Sequence, residues 1–347
     1  MPYPMIAPAF FKEFTSTTDK DAAHADYIFT ASPAALECVF PLNQEVIIRK
    51  LMDTKEPLQF MMTNLKPEHE EKYTKDAEEL IAGHPHLKYY WPLRSLTMNI
   101  LQNRRYVFEK RMLLLNFALK TVQGMMDYED EYNRTGKIPD TAEGSAPPPP
   151  PEEIPNLIPQ FVAQFLSTQD HDDVMNYFSS IKPNFAYSLC DGMSLLTVLP
   201  TNPDFDKVKY NIFKNLQMSP NLKQFKYNSG IYMPLKKAYY EDFLKDREHY
   251  IEHIMVNYVW TNCMPFADYS MSVWDNFVYF NTLFNAIKVM LTCYMKDRND
   301  DDFVFAVKAF DIALSEAKGK NFVRCIAEAN HKEGLANNGD MAILAMS

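Results

Sequence analysis

The pentapeptide "HYIEH" at His249–His253 is the part of this sequence most suited to chemistry. It fits the inverted zinc-protease pattern H-x-x-E-H. Residues four apart share a helical face, so His249 and His253 could grip one zinc ion with Glu252 as general base. A third ligand would have to come from downstream, with Glu316 and Glu328 as candidates. Only three letters of the five are fixed, so the alternative is a helix whose polar face happens to carry these residues. "GHPH" (His84, His86) and "QDHDDV" (His171 between Asp170 and Asp172) read as polar turns or helix starts. The run Asp300–Asp302 lacks the spaced ligands of a calcium loop, and its carboxylates are expected to cap a helix start. There is no G-x-S-x-G elbow, and no cysteine has a nearby histidine to activate it.

The elements that must position these residues are helical. Phe108, Met112, Leu115, Leu119, Val122 and Met126 step by three and four, as do Phe277, Phe280, Phe284, Ile287, Leu291 and Tyr294. Phe303, Val307, Phe310, Leu314 and Ala317 do the same. Further helices are expected in "SPAALECVFPLNQEVIIRKLM" after a turn, in "PEHEEKYTKDAEELIAG" up to Gly83, and in "LIPQFVAQFLSTQDHDDVMNYFSSI". The stretch holding Pro200, Pro203 and Pro220 reads as less regular, and the chain is helical again from Tyr239. Five consecutive prolines, Pro147–Pro151, cannot continue a helix and favour polyproline II. The expected fold is all-α: a multi-helix bundle interrupted by one long proline-rich linker. Its parts are an N-terminal helical region over 1–134, the linker over 135–156 and a C-terminal helical region over 157–347, the two helical regions forming either separate units or one body.

Composition narrows the function. With nine glycines in 347 residues and no G-x-G spacing, the chain has neither a Rossmann-type phosphate loop nor a P-loop. A formal charge of −10 disfavours binding to nucleic acid. The five cysteines (Cys38, Cys190, Cys263, Cys293, Cys325) lie far apart, matching neither a disulfide framework nor a zinc ribbon. No stretch approaches the roughly 20 apolar residues of a membrane span, and "MPYPMIAPAFFKEF" lacks the pattern of a secretory signal. The expectation is a reduced, soluble, cytoplasmic protein.

Two longer stretches carry more information. "WPLRSLTMNILQNRRYVFEKRMLLLNFAL" has a Trp91 entry, the pair Leu93-Arg94, the segment Ile100–Arg104, then Glu109, Arg111 and the run Leu113–Leu115. "REHYIEHIMVNYVWTNCMPF" has Glu252, Val256, Asn257, Tyr258, Pro265 and Phe266, followed by the long apolar helix from Asn276 and a last helical segment from Asp301. In order and spacing these resemble the flagellin lysine-N-methylase (FliB-like) family, across roughly a third of the chain. The resemblance implies a bacterial methyltransferase that moves methyl groups from S-adenosylmethionine to flagellin lysines. It points to Glu252 as the best candidate catalytic residue, and to Arg94, Arg111, Asn257 and Tyr258 as candidates for holding substrate or donor. An aromatic face of Tyr250, Tyr258, Trp260 and Trp274 would suit a sulfonium cation. Core packing is the alternative role for these rings, and a bundle salt bridge is the alternative for Arg111.

The sequence also departs from the family. Family members carry an N-terminal cysteine cluster consistent with an iron–sulfur centre. Here "APAFFKEFTSTTDKDAAHADYIF" has no cysteine, and Cys38 stands alone in the first 189 residues. Such a centre typically needs four thiolates, so an iron–sulfur cluster is not expected. The family's Glu-Asn stands here as Glu252-His253, and its late Glu-His as Glu316-Ala317. These departures leave room for a non-catalytic relative that binds flagellin or another filament protein, and for the zinc hydrolase.

Overall fold

The computed structural model describes residues 27–29, 42–58, 60–62, 79–137, 150–168, 170–218, 225–317 and 321–347. Its fold is all-α, and its organising element is the apolar helix the periodicity picks out. That helix, α10 (Val273–Tyr294), is buried at every position except Asp275, as a helix apolar all round must be. Ser272 starts it, its hydroxyl accepting from the Asp275 N–H at 3.0 Å.

Around α10 lie α3 (Phe108–Thr135), α6 (Phe185–Val198), α7 (Pro203–Asn215), α12 (Phe322–Lys332) and α13 (Asn338–Met346). The stripe from Phe108 to Met126 on α3 is buried throughout. α3 ends at Gly136, whose φ of 65° closes the last turn in the left-handed region where glycine carries no Cβ penalty. Gly192 serves another need. A Cβ there would meet Val289 Cγ2 at 2.7 Å, so the missing side chain lets α6 lie close on α10.

A second group positions the "HYIEH" segment. α9 (Glu248–Thr261) packs on α1 (Glu45–Asp53) and α2 (Tyr90–Leu101), and α11 (Asp300–Ala317) covers α1 and α7. α4 (Leu157–Ser167) and α5 (Asp172–Phe178) close the side beyond the proline run. Helices from both sides of that run pack together: α4 on α2, and α5 and α13 on α3. The described helices therefore form one body.

Some expectations need correction. The linker does not extend to Asn156: Pro151–Asn156 is a 3-10 turn with Ile154 buried, and the Tyr89 hydroxyl reaches the Pro155 carbonyl at 3.4 Å. Residues 138–149 lie outside the described residues. The stretch around Pro200 and Pro203 is regular, because Pro203 opens α7 at a first-turn position that needs no N–H. Asn202 caps that helix from the Phe205 N–H at 2.9 Å. The next helix, α8 (Phe225–Leu235), runs into a π-turn over Lys236–Glu241 just after Pro234. At α11 the capping side chain is Asn299, which accepts from the Asp301 N–H at 2.9 Å, while Asp302 returns a bond to the Asn299 N–H at 3.1 Å. The helix expected up to Gly83 is described only over 79–83, where it is helical. Two three-residue strands, Tyr27–Phe29 and Phe60–Met62, pair antiparallel with Ile28 opposite Met61.

Candidate functional site

α9 begins with Glu248, His249, Glu252 and His253, two i,i+4 pairs on adjacent faces. The structure gives each a partner. Glu252, about 1% exposed, accepts from Arg111 Nη1 at 2.7 Å and from Arg104 Nη2 at 2.8 Å. Arg111 is equally buried. It also donates through Nε to the Tyr106 carbonyl at 2.7 Å, through Nη1 to the Leu101 carbonyl at 3.0 Å, and through Nη2 to Glu248 at 2.9 Å. Glu248 additionally accepts from the Phe108 N–H, a free donor at the start of α3. Burial raises the Glu248 pKa, and Arg111 partly offsets the rise. One guanidinium thus joins the end of α2, the start of α3 and the start of α9.

The two histidines face α1. His253 Nδ1 lies 2.9 Å from the Leu51 carbonyl, and His249 Nε2 lies 2.9 Å from the Met52 carbonyl. A carbonyl only accepts, so each of these nitrogens carries a proton and donates. They satisfy carbonyls that the last turn of α1 leaves open. Burial lowers both histidine pKa values and keeps the rings neutral. The remaining nitrogen of His253, Nε2, sits 3.4 Å from Arg104 Nη2.

Zinc requires ring lone pairs directed at one point. Here one nitrogen of each ring is given to a backbone carbonyl, the other nitrogen of His253 faces the Arg104 guanidinium, and Glu252 lies between two guanidiniums. The zinc reading of His249, Glu252 and His253 is corrected: the pattern clamps helices. Among the described residues, no three His, Cys, Asp or Glu side chains are arranged to hold a metal ion.

The other sequence candidates are separate from this network. Arg94 on α2 is fully buried, donates to the Trp260 carbonyl at 2.7 Å and to the Tyr90 hydroxyl, and lies over the Trp260 ring at 3.9 Å. The Tyr258 hydroxyl donates to the buried Asp311 on α11 at 2.9 Å. Asn257 is buried on α9. Arg111 and Glu252 therefore meet, while Arg94 and Tyr258 anchor α9 to α2 and to α11. Of the proposed aromatic face, Tyr250 packs edgewise on His249 and against Phe303, and Trp274 packs against Phe277. Trp274 also donates to the Ala336 carbonyl at 2.9 Å. These four rings do not gather into one cage.

Two members of the network were not singled out by the sequence reading. Arg104 stands within "ILQNRR", and Glu248 lies one turn before Glu252. The signal was the i,i+4 carboxylate pair, which two arginines then answer from another segment.

A third set of polar groups lies on α10. Lys288 is fully buried and donates to the Leu344 and Ala345 carbonyls at 2.8 and 3.1 Å. Burial pushes its pKa down to about 7. Asn285 donates to the Ser188 carbonyl at 2.9 Å and to Asp191 at 2.8 Å. Burial pushes Asp191 up to about 7, against the pull of Asn285 and Lys288.

The two stretches that carry the family resemblance, 91–119 and 247–266, are thus in contact. Arg94 joins them at Trp260, and Arg104 and Arg111 join them at Glu252. No helix among the described residues is long and apolar enough to cross a membrane. No curated protein and no solved structure matches the chain. The family model of the FliB lysine N-methylase C-terminal domain matches residues 94–344, most of the chain and all but the first few residues of the contacts described above. The chain belongs to the FliB lysine N-methylase C-terminal domain family.

Proposed function

We propose that this protein is a lysine N-methyltransferase that takes S-adenosylmethionine as donor and flagellin lysine side chains as acceptors. The observation that carries the reading is the family match over residues 94–344. The donor supplies a methyl carbon made electrophilic by its sulfonium. The lysine nitrogen must reach that carbon as a free amine, in line with the carbon–sulfur bond. The new nitrogen–carbon bond forms as the carbon–sulfur electrons return to sulfur, leaving a neutral thioether, and the amine proton leaves to water. The chain's task is to bind both partners, orient them and favour the uncharged amine. A net charge of −10 suits a partner that presents lysines.

An iron–sulfur centre does not fit the described residues. The described cysteines are Cys190 and Cys325, both exposed, and Cys263 and Cys293, both buried, and no cluster of ligands forms among them. No step is routed through such a centre. Glu252 is held by Arg111 and Arg104, so its role in this reading is to fix α9 rather than to take a proton.

The missing N-terminal cysteines favour a second reading, a non-catalytic relative that binds flagellin or a similar filament protein. One experiment separates the two. Flagellin co-expressed with and without this protein is measured by intact mass. Whole-methylene increments that appear only with the protein support the methyltransferase. An unchanged mass, with flagellin still co-purifying, refutes catalysis and leaves the binding module.

A further inference from the structure

A cleft of about 410 Å³ lies between α6 and α12 and is floored by α10. Both helices pack on α10 and make little contact with each other. The lining follows helical spacing. Tyr187, Asp191, Ser194 and Val198 form one stripe of α6, and Ile326, Ala329, Asn330 and Glu333 form one stripe of α12. The opposite face of α6, with Ser188, Gly192 and Leu196, is buried against α10. The cleft is therefore built by two helices that each present a second face, and the volume falls within the range of small-molecule sites.

Its polar groups are few and lie inside. Thr282, rising from α10, is about 3% exposed, and its hydroxyl makes no hydrogen bond. The Tyr187 hydroxyl is likewise buried without a bond. A buried hydroxyl left in this state is costly, and both belong to residues that line the cleft. Asp191 is half-buried, with Asn285 holding one oxygen at 2.8 Å. Glu333 stands exposed at the rim, and the rest of the lining is predominantly apolar. Apolar walls, two unbonded hydroxyls and two carboxylates, with the Lys288 ammonium near Asp191 committed to the Leu344 and Ala345 carbonyls, describe a site for a flat molecule that carries a positive charge.

We propose that this cleft binds the adenosyl sulfonium donor, with Asp191 facing its cationic end. The assignment rests on the methyltransferase reading above and adds to it the location of the donor. Groups that face Asp191 or line the cleft with it are Tyr187 and Cys190 on α6, Lys288 and Asn285 on α10 and Glu333 on α12, while Asp340 on α13 bears on Tyr187. At neutral pH the Asp191 carboxyl is part protonated, so a bound cation would favour its ionised form. Donor affinity is expected to rise between pH 6 and pH 8.

The test is equilibrium binding of S-adenosylmethionine and S-adenosylhomocysteine to the full chain by titration calorimetry. Ala329→Trp places an indole in the cleft from an exposed position on α12, where the fold has no need of the alanine. Binding by the parent and loss of binding in Ala329→Trp, with an unchanged melting temperature, is the expected result. Asp191→Asn is expected to weaken the sulfonium compound about tenfold, to weaken the thioether less, and to remove the rise with pH. Unchanged affinity in Ala329→Trp overturns the assignment, as does the absence of binding to the parent at millimolar concentration. If flagellin is methylated while the cleft variant binds normally, the donor sits elsewhere and the functional reading stands. If the parent binds donor through the cleft and flagellin gains no mass, the assignment stands and the functional reading fails.

Discussion

Glu252→Ala is the substitution that most directly separates scaffold from chemistry. The side chain is about 1% exposed and accepts from Arg111, which is equally buried, at 2.7 Å. Removing one member of a buried ion pair typically costs about 3–5 kcal/mol, because the other charge stays in place without its counter-ion. Arg111 keeps Glu248 at 2.9 Å and two backbone carbonyls, which places the loss near the lower end, about 3 kcal/mol. Arg104 adds little, since it is about a third exposed and screened by water. For a chain of this size each kcal/mol moves the melting temperature by roughly 2 °C, so a drop of roughly 6 °C is expected by far-ultraviolet circular dichroism. Glu252→Leu combined with Arg111→Met removes both charges. It should cost less than the sum of the two single changes, with the orphaned Tyr106 and Leu101 carbonyls keeping it below parent stability. A melting temperature within about 1 °C of the parent would refute the structural role. If methylation of flagellin were lost in that same stable variant, Glu252 would act on the reactants.

Three further expectations concern the core. Lys288 titrates near 7 in the folded chain and near its ordinary value unfolded, so between these the unfolded chain holds more protons and stability rises with pH. Urea unfolding should therefore show Lys288→Met gaining on the parent at pH 6 relative to pH 9, and a pH-independent difference would overturn the buried, proton-poor lysine. Gly192→Ala sets a Cβ 2.7 Å from Val289 Cγ2 and 3.3 Å from the Asn285 carbonyl, and should destabilise by about 1–3 kcal/mol, with partial recovery when Val289→Ala is added. Arg94→Lys keeps the charge but loses the planar group over Trp260 at 3.9 Å, and a loss of about 1–3 kcal/mol in urea unfolding is expected. An unchanged midpoint in either variant would contradict the packing described.

Helix periodicity made the body of the fold readable. The stripes on α3, α10 and α11 follow from apolar residues at steps of three and four, and all of them are buried. Prolines misled where position mattered more than identity. Pro203 starts a helix and Pro151 starts a 3-10 turn, because the first turn of a helix lacks partners for its N–H groups in any case. "HYIEH" misled for another reason. A five-residue pattern fixes which side chains share a face, and says nothing about what faces them. Here that is the end of α1 and two arginines, Arg104 from the turn between α2 and α3 and Arg111 from α3, separated from α9 by more than 100 residues. Lys288 within "NAIKVML" was the clearest mark of the α10 polar set, since a lysine in an apolar run must find acceptors inside.

The sequence features that carry the family resemblance and the residues that line the cleft between α6 and α12 are different sets, and the physics explains why. Arg94, Arg111 and Glu252 are each fixed by directional bonds across helices, so a change at any of them strands a buried carbonyl or a buried charge. Such residues give strong, spaced motifs. The cleft between α6 and α12 needs only shape, a carboxylate and two hydroxyls, met by Tyr187, Asp191 and Thr282 at ordinary helical spacing with no local signature. A change within the motif, such as one at His253, therefore bears on how α9 is clamped to α1, through its 2.9 Å bond to the Leu51 carbonyl. It does not bear on the cleft, which α9 does not line. The chain can keep its cleft while its clamps drift. On this argument His253→Asn should shift stability and leave donor affinity unchanged. Altered affinity in a variant that melts like the parent would show that α9 and the cleft act together.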